Sequence, residues 1–306
     1  MSCGSKGGVA SPFVKWAGGK SRILAAIHAR YPAELGARVH KYAEPFVGGG
    51  AVLFDVLNGY ALEDVFISDI NRELIHAYTT IRDDVEGLVT DLSALEAEYR
   101  AADDATRKAM YYARRERFNV LKAAGDMRME LAALFIFLNR TCFNGLYRVN
   151  SRGAYNVPQG RYKNPAICDA ENLRAVSNVL QDVTIVCGDY RLSRGFIDER
   201  TFAYFDPPYR PLSATANFTA YAQSGFGDEE QIALARFIDA MSERGAWVVA
   251  SNSDPKNADE NDDFFDVLYA RHAIARIDAA RAINSIGNRR GCVRELLITK
   301  AREDAA

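Results

Sequence analysis

The chain has 306 residues, of which 48% are hydrophobic and 25% charged, and its formal net charge is −2. This is the composition of an ordinary soluble globular protein, long enough for one large α/β domain with an insertion or for two modest domains. It excludes a chain that is basic throughout, and no apolar run approaches the roughly 20 residues that a bilayer span requires.

The N-terminal stretch MSCGSKGGVASPF has no apolar core of a secretory signal, so a cytoplasmic location is expected. A glycine-bearing turn, Trp16-Ala-Gly-Gly-Lys20, leads into an apolar-periodic helix expected to end near Tyr31-Pro32. Residues 41–47 read as a short strand, meet Gly48-Gly-Gly50 and pass into helix formers as far as Leu57. A second strand, 65–68, ends at Asp69, and Asn71 has the chemistry of a helix N-cap. Strand, glycine turn, helix, strand and acid make one βαβ unit.

From Tyr78 to Leu138 the chain is rich in Ala, Glu, Arg and Leu and lacks proline, which predicts helix almost throughout. Residues 139–165 then break into Asn, Gly, Arg and Tyr, the composition of a long functional loop or hairpin. This stretch holds Arg140, Arg148, Arg152, Arg161 and Lys163 and no acid, whereas acids gather elsewhere, as in Asp259, Glu260, Asp262, Asp263 and Asp266. A near-neutral chain with one basic face is what DNA binding requires, because phosphate contacts are local.

The βα alternation then resumes. Residues 183–187, 202–205 and 247–250 read as buried parallel strands, and β runs around 272–277 and 293–299 close the chain. The expected architecture is α/β: one doubly wound domain, 1–77 and 166–306, interrupted by a mainly helical insertion, 78–165. The five cysteines (Cys3, Cys142, Cys168, Cys187, Cys292) are dispersed, which argues against a disulfide framework. His28, His40, His76 and His272 show no ligand spacing, so no metal is expected.

A glycine turn after a strand lets a ligand press against bare backbone near a helix N-terminus. The acid about 20 residues on, Asp69, suits ribose hydroxyls, a spacing shared by NAD, FAD and S-adenosylmethionine sites. Gly-Gly-Gly rather than GxGxxG disfavours a pyrophosphate, and Glu44 and Phe46 offer a carboxylate and an aromatic face to a cationic sulfonium.

Asp206-Pro207-Pro208-Tyr209 is more specific. Each residue before a proline is held extended and neither proline has an N–H, so the turn is stiff and presents acceptors without competing donors. Asp206 and the Pro207 carbonyl suit the two hydrogens of an exocyclic amine, with the ring of a flat base against Tyr209. Positioning and preorganised hydrogen bonds would drive such a transfer, with no strong base needed. An amine inside a duplex must be extruded to reach this corner.

Taken together, FVKWAGGK (13–20), YAEPFVGGGAVLF (42–54), ISDINRELI (67–75), NRTCFNGLYRVNSRGAYNVPQGRYKNP (139–165), VCGDY (186–190), YFDPPYRPLSATANFTAY (204–221) and VVASNS (248–253) resemble the Dam-like DNA adenine methyltransferases over nearly the whole chain. The resemblance implies a Rossmann-like methyltransferase domain that uses S-adenosylmethionine, with the insertion as its target-recognition domain. It implies cofactor contacts from Trp16, Lys20 at the methionine carboxylate, Asp69 at the ribose and Asp206, with the glycine bend, Gly48 to Gly50, in the same cofactor motif. Asp189 and Tyr190 would border the cofactor adenine, and Asp206 through Tyr209 would bind the flipped base.

In the insertion, the resemblance implies that Arg148 reads a guanine, which presents two acceptors in the major groove. Phe143 and Asn144 would push into the base stack, and Leu146 and Pro158 would make apolar base contacts. Arg140, Arg161 and Lys163 would hold phosphates. The implied target is GATC in double-stranded DNA, with another GAT-containing site as the alternative. The enzyme is expected in the cytoplasm of a bacterium or on a phage genome's behalf, as a monomer, with a dimer as the alternative. Ser213, Thr215, Tyr221, Arg281, Arg289 and Arg290 are further candidates for DNA contact.

Methylation at cytosine C5 needs a cysteine nucleophile, normally after a proline, and none of the five cysteines has one before it. Amino methylation of cytosine uses a similar turn that more often begins with serine. RNA and protein-glutamine methyltransferases have related turns without the NRTCFNGLYR stretch. A non-catalytic DNA binder on the same fold is the rival from another class, and it would bind duplex without methyl transfer.

Overall fold

The computed structural model describes residues 8–210, 226–279 and 293–300. Its helices are α1 (Leu24–His28), α2 (Ala51–Gly59), α3 (Arg72–Asp83), α4 (Val85–Ala101), α5 (Asp104–Ala124), α6 (Met129–Thr141), α7 (Ala170–Leu180), α8 (Asp228–Glu243) and α9 (Phe264–Leu268). Its strands are β1 (Lys41–Glu44), β2 (Asp64–Asp69), β3 (Val183–Cys187), β4 (Thr201–Phe205), β5 (Trp247–Ser253), β6 (His272–Ala279) and β7 (Val293–Lys300). The strands form one sheet in the order β3-β2-β1-β4-β5-β7-β6.

Strands β2, β1, β4 and β5 run parallel, and β7 pairs antiparallel with both β5 and β6. Helices between successive strands return the chain to the same edge, which makes the pairing parallel. The expected α/β, Rossmann-like methyltransferase fold is what the sheet and its helices make. Among the strand expectations, 183–187 needs correction. Thr184 and Cys187 are exposed because β3 ends the sheet order, so only one of its edges is covered. Trp247 likewise lies 39% exposed, its indole N–H donating to Arg30 O at 2.9 Å.

By packing, the described chain divides into two units. The first comprises Met1–Gly19, Gly48–Gly59 and Ser68–Gly188, the second Lys20–Val47, Tyr60–Ile67 and Asp189–Ala306. Residues 78–165 lie in the first unit together with α2, α3 and α7. The reason is α6: every residue from Leu131 to Asn139 is buried. A helix that is apolar all round must be surrounded, and α3, α4 and α5 pack on it. Helix ends follow local chemistry. Asn71 caps α3 by accepting from Leu74 N at 2.9 Å, Asp103 caps α5, and Gly125 ends α5 in the left-handed region at φ 67°.

In the second unit, Ala203 and Phe205 of β4, Val248 of β5, and Leu234, Phe237 and Met241 of α8 form part of one buried cluster. Burying these side chains fixes α8 against the face of the sheet. That packing sets what α8 presents to the end of β4.

Candidate functional site

In the second unit β4 pairs with β1 (Ala43↔Ala203) and with β5 (Phe205↔Ala250), so the carboxyl ends of three parallel strands share one edge. Ligands in open α/β sheets bind at such an edge. Asp206 is the first residue past β4. Its Oδ1 accepts from Lys20 Nζ at 2.7 Å and from Ser251 Oγ at 2.9 Å. Ser251 also meets the Tyr204 hydroxyl at 2.9 Å. Since the serine proton goes to the carboxylate, Tyr204 is the donor in that second bond. Burial pushes the Asp206 carboxyl above the usual carboxylate range, and the Lys20 ammonium opposes the shift.

The rest of the turn is held by side chains, because its prolines offer no N–H. Tyr209 donates to Glu295 Oε2 at 2.8 Å, and its ring lies 4.8 Å from Lys20 Nζ. Gln231 Nε2 donates to the Pro208 carbonyl at 2.9 Å, and Asn252 Nδ2 donates to Gln231 Oε1 at 3.1 Å. Arg210 bridges Asp228 and Asp262 at 2.6 Å each and lies over the Phe264 ring. At the end of β1, buried Glu44 accepts from Tyr42 Oη at 2.7 Å. Phe46 stacks on Tyr190 at 5.5 Å and 28°. Asp189 caps the turn that follows by accepting from Arg191 N and pairs with the Arg191 guanidinium at 3.1 Å.

In the first unit, Gly48 N donates to Asp69 Oδ2 at 3.1 Å and Asn71 N donates to Oδ1 at 2.8 Å. Each oxygen keeps acceptor capacity for hydroxyl donors. Burial raises the Asp69 pKa while these backbone donors lower it. Trp16 lies directly against the bend: a Cβ on Gly48 would stand 2.8 Å from Trp16 Cδ1, at φ +48°. Gly50 is equally constrained, since a Cβ there would meet Tyr78 Oη, the group that donates to Gly48 O at 3.1 Å. Gly48→Ala is therefore expected to destabilise the fold by about 1–3 kcal/mol through overpacking. Thermal unfolding tests this, and an unchanged midpoint would contradict it.

Residues 142–159 form a hairpin in the first unit, bridged at Cys142↔Gln159 and Val149↔Tyr155. Its underside is apolar: Tyr155 and Val157 are buried, and Leu146, Tyr147 and Tyr155 pack with Phe118, Phe135 and Leu138. One polar stripe of α5 holds its backbone. Tyr111 Oη donates to Val157 O at 2.8 Å, Asn119 exchanges two hydrogen bonds with the Tyr155 backbone, and Arg107 donates to Lys163 O at 3.0 Å. Lys122 and Tyr147 Oη meet on Glu73 Oε2 at 2.9 and 2.6 Å.

What the hairpin leaves outside is Phe143 (51% exposed), Asn144, Arg148, Pro158, Arg161 and Lys163, with Leu146 half-buried. Asn144 sits in the left-handed region at φ 56°. Arg148 Nε donates to Asn156 Oδ1 across the hairpin at 2.7 Å. Arg140 is held more closely than the other basic residues of this stretch. It is only partly exposed, and its Nε and Nη2 donate to Phe13 O at 3.1 and 2.8 Å, so it pins the segment before Trp16.

Beside those on the hairpin, the expected residues that meet form three groups. Lys20, Asp206 and Tyr209 meet, Phe46 meets Tyr190, and Trp16 meets the Gly48–Asp69 bend. Ser213, Thr215, Tyr221, Arg281, Arg289 and Arg290 lie outside the described residues. Sequence reasoning missed Ser251, Gln231 and Glu295. Ser251 falls in a segment noted as similar to the family, but nothing local in sequence marks the other two.

Among the described residues no group of three or more His, Cys, Asp or Glu stands together as a metal site, and no helix is long and apolar enough to cross a membrane. A family model described as D12 class N6 adenine-specific DNA methyltransferase matches residues 16–283. The chain is 47% identical over 289 residues to the Type II methyltransferase M.MjaIII of Methanocaldococcus jannaschii, covering 94% of this chain and 98% of that protein. It is 36% identical to the DNA adenine methylase of Escherichia coli strain K12, over 93% of each chain. With the DNA adenine methylase of Haemophilus influenzae it shares 34% identity, over 94% of this chain and 92% of that one.

Proposed function

The chain belongs to the D12 class of N6 adenine-specific DNA methyltransferases, and on that basis we propose that it methylates the exocyclic amine of an adenine flipped out of duplex DNA onto the Asp206–Tyr209 corner. S-adenosylmethionine, when bound, supplies a methyl group activated on a sulfonium. The residues suit such a group. Asp69 presents a fixed carboxylate with spare acceptor capacity to a ribose, and Gly48 and Gly50 leave bare backbone at the bend. Tyr190 and Phe46 form a stacked aromatic pair, and Glu44 is an acid at the end of β1. Trp16, Lys20, Asp189 and Asp206 complete the proposed cofactor contacts.

The observation that carries the proposal is the anchored corner. Asp206 and Pro207 O face the amine as acceptors, aligning the nitrogen lone pair for attack, while the Tyr209 ring supports the base. Preorganised acceptors are effective because nothing must reorganise as charge develops. The proton leaves the amine after the new N–C bond forms.

Residues 78–165 serve as the recognition segment in this reading. Arg148 reads a guanine, Phe143 and Asn144 enter the base stack, Leu146 and Pro158 touch bases, and Arg161 and Lys163 hold phosphates. The target is GATC, and the enzyme acts as a cytoplasmic monomer. The test is incubation with radiolabelled S-adenosylmethionine and unmethylated duplex, followed by mapping of the modified base. Label in adenine of GATC supports the proposal. Label in cytosine, or duplex binding with no transfer, refutes it.

A further inference from the structure

The Asp206–Tyr209 corner has few backbone torsions left to vary. The prolines hold φ of residues 207 and 208 near −65°, and a following proline holds ψ of Asp206 and of Pro207 extended. Between the two prolines and Tyr209, the torsion that the prolines leave soft is ψ of Pro208. It sets the plane of the peptide leading to Tyr209, and so the direction in which the Tyr209 ring leaves the chain.

One hydrogen bond fixes that plane, from Gln231 Nε2 to Pro208 O at 2.9 Å. Gln231 lies at the start of α8 and is wholly buried, at 0% exposure; Asn252 of β5, which donates to its carbonyl at 3.1 Å, is 2% exposed. With no water at hand to substitute, each amide depends on the other. The relay also joins elements that hold the rest of the corner, since β5 carries Ser251 on Asp206 and α8 carries Asp228 on Arg210.

We propose that Gln231 is a positioning residue for methyl transfer, which by orienting the Pro208–Tyr209 peptide sets the Tyr209 ring under the target adenine. The proposal rests on the reading of this corner as the adenine site. Gln231 touches neither base nor donor, so its loss slows the chemical step while leaving the binding of both nearly as it was.

Two variants of the full-length enzyme test this. Gln231→Met keeps the size and removes the donor. Gln231→Glu keeps the shape, and its carboxylate repels the Pro208 carbonyl until protonated, when its O–H becomes a donor. Both are expected to lower the single-turnover rate on prebound duplex about 100-fold, the scale of a misplacement of about 1 Å. KM for DNA and for S-adenosylmethionine should stay within about 3-fold of wild type.

The rate ratio of Gln231→Glu to wild type should rise as pH falls, whereas that of Gln231→Met stays flat. With 2-aminopurine at the target position, the fluorescence change on stacking against Tyr209 should be reduced in both. Wild-type single-turnover rates, or rate losses matched by equal losses in binding with no pH-dependent recovery, would overturn the proposal. An Asp206→Ala enzyme that still turned over would remove the reading of the corner and this inference with it. A dead Asp206→Ala beside a fully active Gln231→Met would remove the inference alone.

Discussion

Asp206→Ala is expected to abolish methyl transfer, with single-turnover rates lower by at least about 100- to 1,000-fold, the cost of deleting one preorganised polar contact to a reacting group. The substitution removes an acceptor from the target amine. It also removes the carboxylate that lies 2.7 Å from the buried Lys20 ammonium, and takes away one partner of Ser251. Asp206→Asn separates the two effects. It keeps an acceptor of the same shape while removing the charge, so it should retain more activity than the alanine variant. Labelled methyl transfer to duplex under single-turnover conditions measures both, and near-normal turnover in Asp206→Ala would remove the assignment.

The same carboxylate predicts a pH dependence. Burial raises the Asp206 pKa, so the group takes up its proton at higher pH than an exposed aspartate, and the rate should fall as pH drops through that pKa. Lys20 acts in the opposite direction, favouring the charged carboxylate. Lys20→Met should therefore move the acid limb of the kcat profile to higher pH. A limb that stayed in place, or moved to lower pH, would contradict the pairing as a functional one.

Arg148→Ala is expected to relax discrimination at one base pair by about 1–3 kcal/mol, the range of a bidentate arginine–guanine contact. That corresponds to roughly 5- to 150-fold in the ratio of kcat/KM between cognate and singly altered duplexes. The guanidinium is exposed, and its Nε is already oriented by Asn156 Oδ1 at 2.7 Å, so the side chain is partly ordered before DNA arrives. An equal loss on every sequence would make Arg148 a phosphate contact instead.

The α5 stripe gives the hairpin that carries Arg148 its shape. Arg107, Tyr111, Asn119 and Lys122 recur at helical spacing and hold the hairpin largely through its backbone, which leaves its outward side chains available. Bonding to backbone rather than side chains means that the outward residues can change while their support stays the same.

Features governed by one or two neighbouring residues were open to sequence reasoning. Gly48 and Gly50 adopt positive φ where the glycine turn was expected, Asn71 caps α3, and the prolines of the corner restrict their own torsions. The first βαβ unit and the places of the later strands along the chain follow from the same local rules.

Tertiary structure alone decided which distant groups meet. Lys20 reaches Asp206, Gln231 reaches Pro208, Glu295 reaches Tyr209, and Arg140 is drawn to Phe13 instead of standing free. These pairings depend on which strands lie side by side and on where α6 and α8 are buried. Hydrophobic periodicity records that a face is covered but carries no information on what covers it.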